Sequence, residues 1–130
     1  MAALTVAVAT EILDHITGNG TYVAPATLYM ALSTGAQVSL DGTLTNEVTG
    51  GGYAREVVTF DPAAAGECVT AATVDFDIAT ENWGTVSHFA ICSGLTGNNV
   101  VAYGSFTASK AVSSGMSAQI RAGEESLTLV

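Results

Sequence analysis

"GGGYAREVVTF" spans residues 50–60, and its reading decides what kind of fold this chain adopts. Three glycines lead into Tyr53, and Arg55, one of only three basic residues in the chain, follows two places later. A phosphate-cradling loop needs a strand before its glycines, a helix after them and a Gly-Lys-Ser/Thr ending. No helix pattern follows Gly52, and there is no Gly-Lys-Thr. The pattern after the glycines has period two instead. Tyr53, Arg55, Val57 and Thr59 fall on one face, and Ala54, Glu56, Val58 and Phe60 on the other. The stretch therefore reads as a glycine turn that launches a β-strand, with glycine supplying positive φ angles. Arg55 is then a strand residue. Its expected role is an ion pair with Asp61, Asp75 or Asp77, because a desolvated guanidinium seldom goes unpaired. The alternative is an anchor into an acidic partner.

The same period recurs on both sides. "TLYMALST" (27–34) alternates Leu28, Met30 and Leu32 against Tyr29 and Ala31, with Pro25 blocking helix just before it. In "ATVDFDI" (72–78), Val74, Phe76 and Ile78 point in while Asp75 and Asp77 point out. "TVSHFAICS" (85–93) and "NVVAYGSF" (99–106) flank a glycine-rich hairpin connection. "MSAQIRA" (116–122) and "ESLTLV" (125–130) close the chain around Gly123. Only the start differs. Leu4, Val8, Ile12 and Ile16 form a helical stripe with Ala9 and Leu13 beside it, and Gly18 suits the left-handed residue that ends it. The expectation is one mainly-β domain over residues 1–130. It is a β-sandwich, jelly-roll or immunoglobulin-like, of about seven or eight strands with one N-terminal α-helix, residues 1–18.

Residues 35–52 form a long irregular loop, and loops of that length tend to bind something or to be ordered by a neighbour. Val38, Leu40, Leu44 and Val48 in this loop are candidate interface residues, as are Val6 and Leu13 beyond the main helix stripe.

Charge narrows the partners. The net charge is −9 and charged residues make up only 12% of the chain, about half the usual share. Arg55, Lys110 and Arg121 lie too far apart to build a basic stripe, which argues against nucleic acid and against an anionic membrane surface. A Thr-, Ser- and Gly-rich exterior loses little ionic hydration when covered, so a homo-oligomer or a lattice-bound subunit is expected. The N-terminus lacks the basic region of a signal peptide, and Glu11 and Asp14 interrupt its apolar stretch.

No arrangement of residues points to catalysis, a metal or a cofactor. His15 and His88 have no ligand-spaced partner, and His88 is read as orienting a buried hydrogen bond. Asp75 and Asp77 are about 7 Å apart on a strand, too wide to share a proton. Cys68 and Cys92 match no zinc or redox spacing, and Cys92 reads as a small buried hydrophobe; a bond between the two is left open. Trp83 is expected to pack inward, with Gly84 letting another backbone or ring approach. The structural positions singled out are Gly52, Tyr53, Arg55, Trp83, Gly84 and His88.

Four stretches carry a resemblance: "ILDHITG", "ATLYMALST", "GGGYAREVVTF" and "ENWGTVSHFAICSGLTGNNVVAYGSF". In this order and spacing they resemble small virion structural proteins of tailed bacteriophages, commonly labelled phage tail fibre proteins. Similar small β-domains coat phage heads as decoration or cement subunits. The resemblance implies a structural protein of the virion, assembled in the host bacterial cytoplasm. Its implied partners are other virion proteins, either the major capsid protein or tail and fibre proteins. The chain has no heptads or repeats of an elongated fibre, so a surface-docked head-decoration or cement-type subunit is expected. A tail fibre or adhesin component is the alternative, and a carbohydrate-binding module a more distant one.

Overall fold

The computed structural model describes residues 2–37 and 41–128. Its large sheet has seven strands in the order β3-β2-β6-β7-β1-β9-β4, and β5 and β8 form a second, two-stranded sheet. The strands are β1 (Ala2–Leu4), β2 (Leu28–Ser33), β3 (Glu56–Val58), β4 (Glu67–Val69), β5 (Val74–Asp75), β6 (Gly84–Cys92), β7 (Val100–Val112), β8 (Gln119–Ile120) and β9 (Ser126–Thr128). All pairs are antiparallel except β1 with β9. The large sheet curls until its ends meet. Beyond the two edge strands, Phe60 bridges Thr70, and the Asp61 and Ala71 amides donate to Val69 and Thr59 carbonyls at 2.9 and 2.8 Å. This short closure blunts the two edge strands of the large sheet.

The main core lies between the two sheets, which makes the fold sandwich-like and mainly β. Met30, Leu32, Phe89 and Ile91 from the large sheet meet Val74, Phe76 and Ile120 from the small sheet and its flank. A second cluster lies on the other face: Ala31, Ala90, Cys92 and Val100, covered by Leu44 and Tyr103. This explains the central sequence "HFAIC". A strand covered on both faces reads as a continuous apolar run rather than an alternation.

The N-terminus departs from expectation. Leu4 belongs to β1, opposite Ala102 of β7, and helix α1 covers Val6–Thr17 rather than residues 1–18. The reason is Thr5. Its Oγ1 accepts from the Val8 amide at 3.4 Å and caps the helix, while its own amide donates to the Val101 carbonyl at 2.9 Å. Before that cap the chain pairs as strand. Gly18, at φ +80°, ends the helix in the left-handed conformation. The helical stripe is partly covered: Val8, Ala9 and Ile12 are half-buried, Ile16 is exposed, and no residue of α1 is fully buried. Ile78, also read as inward, is exposed, and the backbone turns there so that Ala79 takes the buried place.

Candidate functional site

The glycine turn answers the question its sequence poses. Each of its glycines is packed against a neighbour. A Cβ on Gly50 would lie 2.5 Å from Trp83 Cδ1, and one on Gly51 would lie 2.4 Å from Thr80 Oγ1. Gly52 sits at φ +81°, where its Cβ would meet the Ile78 carbonyl oxygen at 2.6 Å. The turn is thus a bed for protein atoms, not for a ligand. Trp83, 5% exposed, lies in it and donates its indole N–H to the Gly51 carbonyl at 3.0 Å. Tyr53 packs edge-on against Trp83 with ring centroids 5.5 Å apart, and stacks over Phe76. Gly84 does not provide the close approach expected of it. A Cβ there would reach only Thr34, at 3.6 Å, so its glycine serves the φ of +87° at the start of β6.

Arg55 is the centre of a buried polar cluster. It lies just before β3 rather than within it, and its partner is Glu47, not Asp61, Asp75 or Asp77. Nε and Nη2 hold the two carboxylate oxygens at 2.8 and 3.0 Å, a bidentate fork. Nη1 donates to the Gly94 carbonyl at 2.8 Å and to Asn99 Oδ1 at 3.0 Å, and Nη2 donates also to the Gly97 carbonyl at 2.8 Å. All five guanidinium N–H groups are therefore used. The Tyr53 hydroxyl completes the cluster, donating to Glu47 at 2.8 Å and accepting from the Leu32 amide at 3.0 Å.

The pKa values of Arg55, Tyr53 and the neighbouring Cys92 are all shifted upward. The hydrogen bond to Glu47 raises the Arg55 pKa further, against the opposing effect of burial. Burial keeps the Tyr53 phenol protonated, its pKa pushed well above the usual value. Burial also pushes the Cys92 thiol up to about 11, although Arg55 pulls the other way. With every guanidinium N–H engaged, the cluster acts as a clamp on the chain. It ties three separate segments together: the 35–52 loop through Glu47, the start of β3 through Arg55, and the β6–β7 connection through Gly94, Gly97 and Asn99.

This overturns part of the interface expectation. Val48 is 3% exposed, in the main core, with its amide bonded to the Leu32 carbonyl at 3.0 Å. Leu44 is half-buried on the second cluster, and its amide reaches Asn98 Oδ1 at 3.3 Å. The loop covers its own sheet because that sheet's second face is apolar. Val38 and Leu40 lie outside the described residues. His88 stands apart from the clamp. It is half-buried on β6, with Nδ1 2.7 Å from Ser87 Oγ. Both cysteines are free, and Cys92 is buried. Among the described residues, no group of three or more His, Cys, Asp and Glu is placed to hold a metal ion, and no helix is long and apolar enough to cross a membrane.

Sequence reasoning missed Glu47, Asn99 and the two glycine carbonyls. Backbone acceptors carry no residue-type signal, and Glu47 sits in a stretch without period. The available hint was the pairing rule itself: a buried arginine needs a carboxylate, and Glu47 is one of the acids closest to it in sequence.

The other notable surface is α1. Val6, Leu13 and Ile16 are 56%, 61% and 70% exposed. Val6 and Leu13 are thus open to solvent, whereas the chain itself buries Val48 and half-buries Leu44.

No curated protein matches the chain at significant similarity. A protein-family model described as podophage GP4 fiber I protein gp80 matches residues 3–128, from β1 through β9. That span takes in the glycine turn, the Arg55 clamp and the exposed helix together; the chain belongs to the podophage GP4 fiber I protein gp80 family, and its role is that of a bacteriophage virion structural protein.

Proposed function

We propose that the chain is a non-enzymatic subunit of a podophage tail fibre, working as a homo-oligomer held to other proteins of the virion. The observation that carries this reading is the match to a fibre protein over nearly the whole chain. It favours the fibre component over the head-decoration or cement-type subunit expected from the lack of heptads and repeats. The site geometry is in keeping with it. The buried polar groups bind one another, and the aromatic that a sugar platform would need, Trp83, is inside.

In this role the fold supplies a rigid block with blunted sheet edges, and contacts with neighbours fall to side-chain surfaces. The protein is assembled into particles in the host bacterial cytoplasm. Cryo-EM or immunogold localisation on purified virions tests the reading. Density or label on the tail fibres is expected; label confined to the head shell would overturn it.

A further inference from the structure

We infer that helix α1 packs side by side against α1 of further copies of this chain, along a seam made by Val6, Ala9, Leu13 and Ile16. The inference deepens the fibre reading by naming its self-association surface. It starts from spacing. The four residues are separated by three, four and three positions, an a-d-a-d spacing that spans less than two heptads and so falls short of the sustained repeat of an elongated fibre. Three of them are more than half exposed, and Ala9 is half-buried. The rest of the chain leaves Val6, Leu13 and Ile16 open. Tyr22 instead folds back onto the opposite side, its amide 3.3 Å from His15 Nδ1 and its phenol pKa raised by burial and by Glu11.

Charge says what does cover the seam. In this register Glu11 falls at f, Asp14 at b and His15 at c, all facing away. The flanking e positions are Thr10 and Thr17, and the g position between the heptads is Ile12. With a net charge of −9, copies of the chain meet most easily where no carboxylates face each other. Along this line no carboxylate opposes its own image, so the seam tolerates an identical helix. An unrelated acidic or basic partner helix would find no charge here to recognise.

Less than two heptads alone is too short to hold helices together in water. Here the helix is already formed, capped by Thr5 and Gly18 and anchored through Thr5 Oγ1 to the Val100 carbonyl at 3.2 Å. Association therefore carries no helix-folding cost. Leu at a and Ile at d in the second heptad favour three or four helices over two.

Sedimentation of the full-length chain tests this. The wild type is expected to self-associate at concentrations below about 1 mM. Leu13→Glu and Ile16→Glu should each weaken association more than about tenfold, because a carboxylate must be desolvated in an apolar seam. Ile78→Glu, at a residue 62% exposed elsewhere on the surface, should change nothing. Disulfide trapping adds a geometric test, in a Cys68→Ser background. Ala9→Cys at a d position should link copies on mild oxidation, and Glu11→Cys at f should not. A wild type that stays monomeric, an oligomer untouched by both glutamates, or equal linking at Ala9→Cys and Glu11→Cys would each overturn the seam. The two readings fail separately: a monomer located on the tail fibre keeps the fibre role and loses the seam, and a self-associating chain located on the head does the reverse.

Discussion

The Arg55 clamp and helix α1 are opposites. The clamp joins four charged or polar side chains, Glu47, Tyr53, Arg55 and Asn99, and leaves no guanidinium donor unused. The helix carries apolar residues and buries none of them. One region is satisfied by the chain itself; the other is left open to solvent. Internal polar bonds fix the fold at the clamp, and the uncharged apolar stripe on α1 is the surface that can be covered with little ionic desolvation.

The comparison breaks most visibly at the clamp. Arg55→Ala should cost about 3–5 kcal/mol in urea unfolding, because it strands the Glu47 carboxylate and two glycine carbonyls. Arg55→Lys should recover only a minor part, since a point charge cannot replace a planar fork. A loss under about 1 kcal/mol for Arg55→Ala would mean the segments are held by packing alone.

Trp83→Ala should cost a comparable amount, about 3–5 kcal/mol, by emptying the bed between the glycine turn and Tyr53. Gly51→Ala approaches the same bed from the other side. Its Cβ would sit 2.4 Å from Thr80 Oγ1, and about 1–3 kcal/mol is expected to be lost as the turn shifts. Near-ultraviolet circular dichroism should report the Gly51→Ala change through the indole of Trp83, the one tryptophan of the chain.

Alkali sharpens the contrast further. Burial raises the Cys92 thiol from its ordinary value of 9.0 to about 11, so the fold binds this proton more tightly than the unfolded chain does. Its contribution of about 2–3 kcal/mol is complete below pH 9 and is lost as pH rises toward 11. Unfolding followed between pH 8 and 11 should show that decline, and Cys92→Ala should flatten it. Near pH 8 the thiol should resist alkylation in the native protein.

The smallest effects belong to the helix. Leu13→Ser and Ile16→Ser should leave the stability of the dilute monomer within about 0.5 kcal/mol of wild type, since neither side chain is buried there. A large loss at either position would show that α1 packs on its own body after all.

The long strands were legible in the sequence because they carry enough residues to show a rhythm. β2, β6 and β7 fall where "TLYMALST", "TVSHFAICS" and "NVVAYGSF" place them, and β7 runs on to Val112. β1 and β4 are three residues each, too short for any period, and β4 has no reading at all in the sequence. β1 was absorbed into the helix because Leu4 lies four residues before Val8, and only the buried oxygen of Thr5 separates strand from helix. At the candidate site, the turn, the inward Trp83 and the need of Arg55 for a carboxylate could all be argued from residue types. The identity of that carboxylate depended on how the 35–52 loop folds. Nothing local encodes that fold, because Leu44 and Val48 gain equally from any apolar surface they reach. The i, i+4 reading of the helix chose Leu4, Val8, Ile12 and Ile16, whereas the open stripe follows the three-four-three spacing one face over.

The pairing of Ala2 with Leu127 in the parallel β1–β9 ladder has a consequence for how the protein is made. The β2–β6–β7 hairpins can pair as soon as Val112 has left the ribosome. β1 can then add to β7, but it must wait for the last strand to be synthesised before its other side is filled. Until then one edge of a nascent sheet is open, and the contact that closes it joins residues from opposite ends of the described chain. Such late, long-range closure slows folding toward the range of about milliseconds to seconds typical of all-β topologies. Cooler expression should therefore raise the yield of soluble protein by slowing aggregation through that edge while it is open.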